Sequence, residues 1–179
     1  MRSKLNIHYR FNTYSYILSR NSTLAFNIID KNIILDITPN MINAINNYLK
    51  NFTGWFQLKP NLDSNNSIPP LVSEGQIWWV QIGENIGTEI SGKGPKFTRP
   101  GIIYKKLSRY TFLIIPTSSK IKEGSWYSKF TFNSIEMVGS LNQIRIIDYR
   151  RLDNKMGVLD ELDYSKIKLD FQNLYNFSQ

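Results

Sequence analysis

The sequence predicts a mainly β, α+β protein: a small, strongly bent barrel or sandwich closed by a C-terminal helix, with a helical extension ahead of it. Three observations carry that expectation. Five short β-type runs, at 76–82, 101–105, 111–115, 126–133 and 139–147, are separated by Gly, Pro and Ser turn signals. An apolar stripe at helical spacing precedes them, and a capped amphipathic segment follows them. Of the 179 residues, 41 % are hydrophobic and 20 % charged, the balance of a chain that buries a real core.

Residues 1–37 alternate apolar and polar groups without a clear period, as in Phe11-Asn12-Thr13-Tyr14-Ser15-Tyr16, and read as an irregular extension without a usable motif. Thr38-Pro39 then opens a helix, with Thr as N-cap and Pro at the first helical position. Ile42, Ile45, Leu49, Phe52 and Phe56 follow at spacings of three and four, which assigns 38–60 to an amphipathic helix. The stripe is expected to pack on the rest of the domain; a partner-binding or dimer-contact helix is the alternative. Residues 61–70, polar and ending in Pro69-Pro70, form a linker, so 71–179 is the barrel domain. Trp78 and Trp79 are neighbours on a strand, which puts one in the core and the other outside or in an interface. The last helix takes Asp160 as its cap and Asp163 three residues on, as in a capping box, and buries Ile167, Phe171 and Leu174.

Several function classes fall away on composition. The chain has no cysteine, which removes disulfides, thiolate zinc, iron–sulfur clusters and cysteine nucleophiles. It has one histidine, His8, in the extension, so His-pair chemistry and Ser-His-Asp triads are excluded as well. No metal or cofactor is expected. No run approaches the ~18–20 apolar residues of a membrane span, and the first residues lack the apolar core of a signal peptide. The expected setting is the cytoplasm, without a membrane partner.

The net charge of +8 is concentrated. Between 91 and 129 lie Lys93, Lys96, Arg99, Lys105, Lys106, Arg109, Lys120, Lys122 and Lys129 against Glu123 alone. A charge run is often just a solvated face. Here Phe97, Tyr104, Tyr110, Trp126 and Tyr127 are interleaved with it, and Gly92-Lys93-Gly94 has the freedom to fold over a phosphate backbone. Basic groups mixed with stacking platforms suit single-stranded RNA.

From Gly75 onward the order of motifs resembles the PemK/MazF family of type II toxin–antitoxin systems. The segments that carry it are Gly75-Gln76-Ile77-Trp78-Trp79-Val80, Gly87-Thr88-Glu89, Arg99-Pro100, Pro116-Thr117-Ser118-Ser119-Lys120, and Leu141-Asn142-Gln143-Ile144-Arg145-Ile146-Ile147-Asp148 before Arg151-Leu152. The resemblance covers about 105 residues. It implies an SH3-like barrel with a C-terminal helix, a homodimer, an antitoxin protein as partner, and metal-independent cleavage of single-stranded RNA that leaves a 2′,3′-cyclic phosphate and a 5′-hydroxyl.

The resemblance also implies the site. Cleavage by a neighbouring 2′-hydroxyl needs stabilisation of a charged phosphorane and management of two protons. The family's central arginine falls on Arg99, whose fork of donors suits a phosphoryl oxygen. The family's threonine falls on Ser118 in the gapless register and on Thr117 with a shift of one; strand alternation lets only one of them face the groove. Ser118 would keep the hydroxyl and lose only the methyl. Lys93, Lys96, Lys120 and Lys122 are expected on phosphates, and Glu89 is expected to orient Arg99, accept a proton, or stand as a plain loop carboxylate within the RNA-binding surface. Arg145 with Asp148 reads as a structural ion pair, and Gln143 as a possible groove residue. The alternative function is a non-catalytic member of the same barrel family that binds nucleic acid, an antitoxin or a topoisomerase.

Overall fold

A computed structural model of the protein describes residues 39–176. Helix α1 (Pro39–Asp63) is followed by β1 (Gln76–Gln81), β2 (Thr98–Lys106), β3 (Thr111–Ser118), β4 (Tyr127–Phe132), β5 (Ile135–Ser140), β6 (Arg145–Asp148), β7 (Leu152–Val158) and α2 (Glu161–Tyr175). The irregular extension at 1–37 and the Thr38 cap lie outside the described residues.

Every strand pairing is antiparallel, in the order β4-β5-β3-β2-β1-β7, with β6 also on β3. Strand β3 is the hub. One of its edges is taken by β2; the other is shared, β6 pairing with its first half and β5 with Thr117 and Ser118. That sharing bends the sheet into the expected small α+β barrel. Alternation then sorts the side chains onto two faces. One face buries Ile77, Ile102, Ile115 and Phe130 against Ile167 of α2. The other buries Trp78, Val80, Ile103, Phe112 and Ile114. Trp78 is 7 % exposed and Trp79 is 38 %, the division that their adjacency demands.

Helix α2 begins as expected, with the Asp163 N–H donating to the Asp160 carboxylate at 2.8 Å. The reciprocal half of the capping box does not form. The Asp163 carboxylate instead accepts the Thr131 N–H at 2.9 Å and ties α2 to β4.

Three expectations about elements change. The fifth β run divides into the end of β5, a 3-10 turn at Leu141–Gln143, and β6. The break that makes β5 a separate strand is the two-residue turn Asn133-Ser134, both at positive φ, as hairpin turns require. Strand β7 was not expected, because Asp153, Asn154, Lys155 and Gly157 all have low strand propensity. It is an edge strand, and partial burial does not demand more.

The third change concerns α1. The helix runs through Asp63, so the polar linker starts at 64, three residues later than expected. Its apolar stripe does not pack on the barrel: Leu49, Phe52 and Phe56 are all exposed, Phe56 by 69 %. The helix docks instead through Trp55, about 100° around from Phe56. The Trp55 ring lies 5.7 Å from the Phe97 ring, and the Arg151 guanidinium stands 5.4 Å over its centroid. Gly83 makes the seat possible. It has φ +92°, and a Cβ there would come within 2.4 Å of the indole.

Candidate functional site

The site is built at the start of β2. Arg99 pairs with Val80 of β1 and lies on the face that carries Val80, Gly101 and Ile103. The β2–β3 register runs Ile103 against Ile114, Ile102 against Ile115 and Gly101 against Pro116. The ladder ends at Gly101 and Pro116; by alternation from that pair, Arg99 and Ser118 fall on one face at one end of the hairpin. Thr117 points the other way. It is 1 % exposed, and its hydroxyl donates to the Pro100 carbonyl at 3.1 Å. Ser118 is half-buried, and its Oγ accepts the Lys120 N–H at 3.0 Å. The serine oxygen is thus engaged as an acceptor, which leaves its proton available to donate.

Arg99 is half-buried, and burial pulls its pKa below the ordinary arginine value without discharging it. Its Nε–H donates to the Ser91 carbonyl. Among the described residues its two terminal nitrogens have no hydrogen-bond partner and no carboxylate pairs with it. A guanidinium held by one edge and open at the other suits a phosphoryl oxygen.

The loop between β1 and β2 wraps this end of the sheet, and it is pinned along its length. Gly92 N–H donates to the Gly83 carbonyl at 2.7 Å, and Lys93 bridges with Thr98. A Cβ at Gly92 would fall 1.8 Å from the Phe97 carbonyl oxygen, so the segment closes only with glycine there. The expectation of a loose flap at Gly92-Lys93-Gly94 is therefore corrected.

Glu89 does not orient Arg99. Its carboxylate accepts the Ile86 N–H at 3.3 Å within its own turn, and the Ser91 carbonyl does the orienting. Lys93 and Lys120 are exposed near this end of the hairpin. Lys96 pairs with Asp153 at 3.0 Å, and Lys122 reaches Tyr127, 5.2 Å above its ring. The expected Arg145–Asp148 pair is absent: Asp148 is held by Arg150 at 2.8 Å, two residues on in the same turn.

The basic stretch does not form one surface. Lys105 and Lys106 lie at the far end of β2, about 20 Å from Arg99 at strand rise, and Arg109 lies in the turn beyond them. Lys105 also pairs with Glu74 there, at 3.1 Å. Of the interleaved aromatics, Phe97 is buried under Trp55 and Tyr104 packs on Phe171, whereas Tyr110 and Trp126 remain exposed.

Sequence reasoning missed Ser91, Gln143 as a loop anchor, and Trp55. Ser91 left no signal, since it acts on Arg99 through its backbone. The described residues contain no group of three or more His, Asp or Glu placed to hold a metal, and no helix among them is long and apolar enough to cross a membrane.

No protein-family model matches the chain, and no curated protein matches it. Solved structures do. The Form-I crystal structure of MazF from Deinococcus radiodurans superposes with a TM-score of 0.51 at 14 % identity, over 60 % of this chain and 99 % of that one. An endoribonuclease in complex with its cognate antitoxin, from a mycobacterial species, gives 0.48 at 10 % identity over 61 % and 99 %. A MazE–MazF complex from Deinococcus radiodurans gives 0.47 at 12 % identity over 61 % and 99 %. The first of these carries the assignment: the chain has a MazF-like fold, as the order of motifs implied.

Proposed function

We propose that this chain is the toxin of a type II toxin–antitoxin pair and acts as a metal-independent endoribonuclease on single-stranded RNA. One observation carries the reading: Arg99 and Ser118 lie on one face and at one end of the β2–β3 hairpin, each with donor capacity that no described residue takes up. The ribose 2′-oxygen attacks the adjacent phosphorus, the O2′–P bond forms and the P–O5′ bond breaks. The free Nη groups of Arg99 take the non-bridging oxygens as charge develops, and the Ser118 hydroxyl donates to the same phosphorane. In a site open to water, the proton lost from O2′ and the proton gained by O5′ exchange with solvent. Lys93 and Lys120 hold flanking phosphates; Lys96 and Lys122, engaged with Asp153 and Tyr127, hold them less strongly. The chain pairs as a homodimer and is blocked by an antitoxin, a partner whose acidity would complement the net charge of +8.

The test is purified protein on a mixed-sequence single-stranded RNA in EDTA. Cleavage leaving cyclic-phosphate ends, lost by ~10²–10³ in Arg99→Ala, is the expected result. If the wild type cuts no RNA but binds it, the non-catalytic binder takes its place.

A further inference from the structure

We propose that Gln143 is a positioning residue for Arg99 and acts through the β1–β2 loop. Gln143 closes the 3-10 turn between β5 and β6, and its side-chain amide reaches across 53 residues of sequence. Its Oε1 accepts the Ile90 N–H at 3.1 Å, and its Nε2 donates to the Thr88 carbonyl at 3.5 Å. Ile90 is also held through its carbonyl, which accepts from Asn85 Nδ2 at 2.8 Å. The Asn85 N–H then donates to Ser91 Oγ at 2.9 Å, and the Ser91 carbonyl accepts the Nε–H of Arg99.

These bonds form one relay. Asn85, Ile90 and Ser91 all belong to the loop, so they fix its shape but not its place. Gln143 ties the 85–91 stretch of that shape to a different part of the barrel, and the exposed Lys96–Asp153 pair ties only the far limb of the loop, beyond Ser91. Arg99 has a long side chain with several soft torsions, and the Ser91 carbonyl is what fixes the direction of its fork. Moving the carbonyl moves the two free Nη groups, and a displacement of about 1 Å is enough to cost up to 10²-fold in a phosphoryl step.

This proposal rests on the reading of Arg99 as the phosphate-facing group, so the experiment has two arms. The first needs no RNA. Hydrogen exchange of the Arg99 Nε–H, followed by nitrogen-15 NMR, is compared in the wild type, Gln143→Ala and Gln143→Glu. Gln143→Ala is expected to speed that exchange about five- to tenfold at an unchanged melting temperature; Gln143→Glu, which keeps the acceptor oxygen, returns it to near the wild-type rate. The second arm measures cleavage, where Gln143→Ala is expected to lower kcat about tenfold with KM unchanged. Unchanged Nε–H exchange in Gln143→Ala, or equally fast exchange in both variants, overturns the proposal whatever the RNA result. Exchange that responds as expected in a protein that cuts no RNA sinks the nuclease reading and leaves the positioning of Arg99 by Gln143 established.

Discussion

Replacing Thr117 and Ser118 one at a time should separate stability from activity at adjacent positions. Thr117→Ala removes a methyl from a side chain that is 1 % exposed, and it removes the hydroxyl that donates to the Pro100 carbonyl. The buried methyl and the lost hydrogen bond cost about 1 kcal/mol each, or roughly 2 kcal/mol together. For a domain of this size that is a fall of about 6–10 °C in melting temperature. Ser118→Ala removes a half-buried hydroxyl whose only described partner is the Lys120 N–H, a group that water can satisfy. Its cost is about 0.5 kcal/mol, or about 2 °C. Cleavage should go the other way, falling ~10–10²-fold in Ser118→Ala and staying near wild type in Thr117→Ala once measured below the lowered melting temperature. Thermal scans with initial rates on a labelled RNA read both effects from the same preparations. A Thr117→Ala protein that melts normally but is inactive, beside a fully active Ser118→Ala, would refute the register argument and move the functional hydroxyl by one residue.

Two other outcomes follow from the charges. Lys93→Gln with Lys120→Gln should reduce the salt slope of RNA affinity by about 1.4, at ~0.7 per phosphate contact on a single strand, whereas Lys105→Gln with Lys106→Gln, at the other end of β2, should leave it unchanged; titrations between 50 and 200 mM salt, as an order-of-magnitude window, would show which pair matters. Asp148 is held below the ordinary aspartate value of 3.8 by its hydrogen bonds from Arg150, so its contribution to stability is present above that value and is lost as pH falls through and below it. Urea unfolding of Asp148→Asn should therefore show a shallower loss between neutral pH and pH of about 3 than the wild type does; parallel curves would count against the pairing.

Much of the barrel was legible because its strands are short, apolar and separated by turn residues, and α2 because Asp160 and the Ile167 stripe are local signals. The Arg99–Ser118 juxtaposition was half legible. Alternation says that Thr117 and Ser118 face opposite ways, but only the pairing of Gly101 with Pro116 says which one shares the face of Arg99. Strand β7 stayed hidden because an edge strand with Asp153, Asn154 and Lys155 gains its pairing from β1 and not from its own propensity. The docking face of α1 stayed hidden for a different reason. Counting large apolar residues finds the stripe from Ile42 to Phe56, yet the choice of face was made by a glycine 28 positions beyond Trp55 in sequence. The amide of Gln143 likewise has no local signature, since its meaning depends on a loop 53 residues earlier.

The seat of Trp55 also dictates an order of events during folding. Its walls come from Gly83 after β1, Phe97 before β2 and Arg151 before β7, segments spread over nearly 70 residues. Gly83 and Phe97 come together when β1 pairs with β2, but the third wall is missing until β1 also pairs with β7, which needs Arg151 and the strand after it. Helix α1 leaves the ribosome ahead of every strand of the barrel, yet its indole has no complete seat until nearly all of the barrel is assembled. A 25-residue helix with an exposed apolar stripe can form early from local contacts, but its docking is a late, long-range step whose loop-closure cost is met only by the finished sheet. During synthesis the α1 segment therefore has no complete seat for its indole until most of the barrel has been made, and its apolar residues stay uncovered by the barrel throughout that interval.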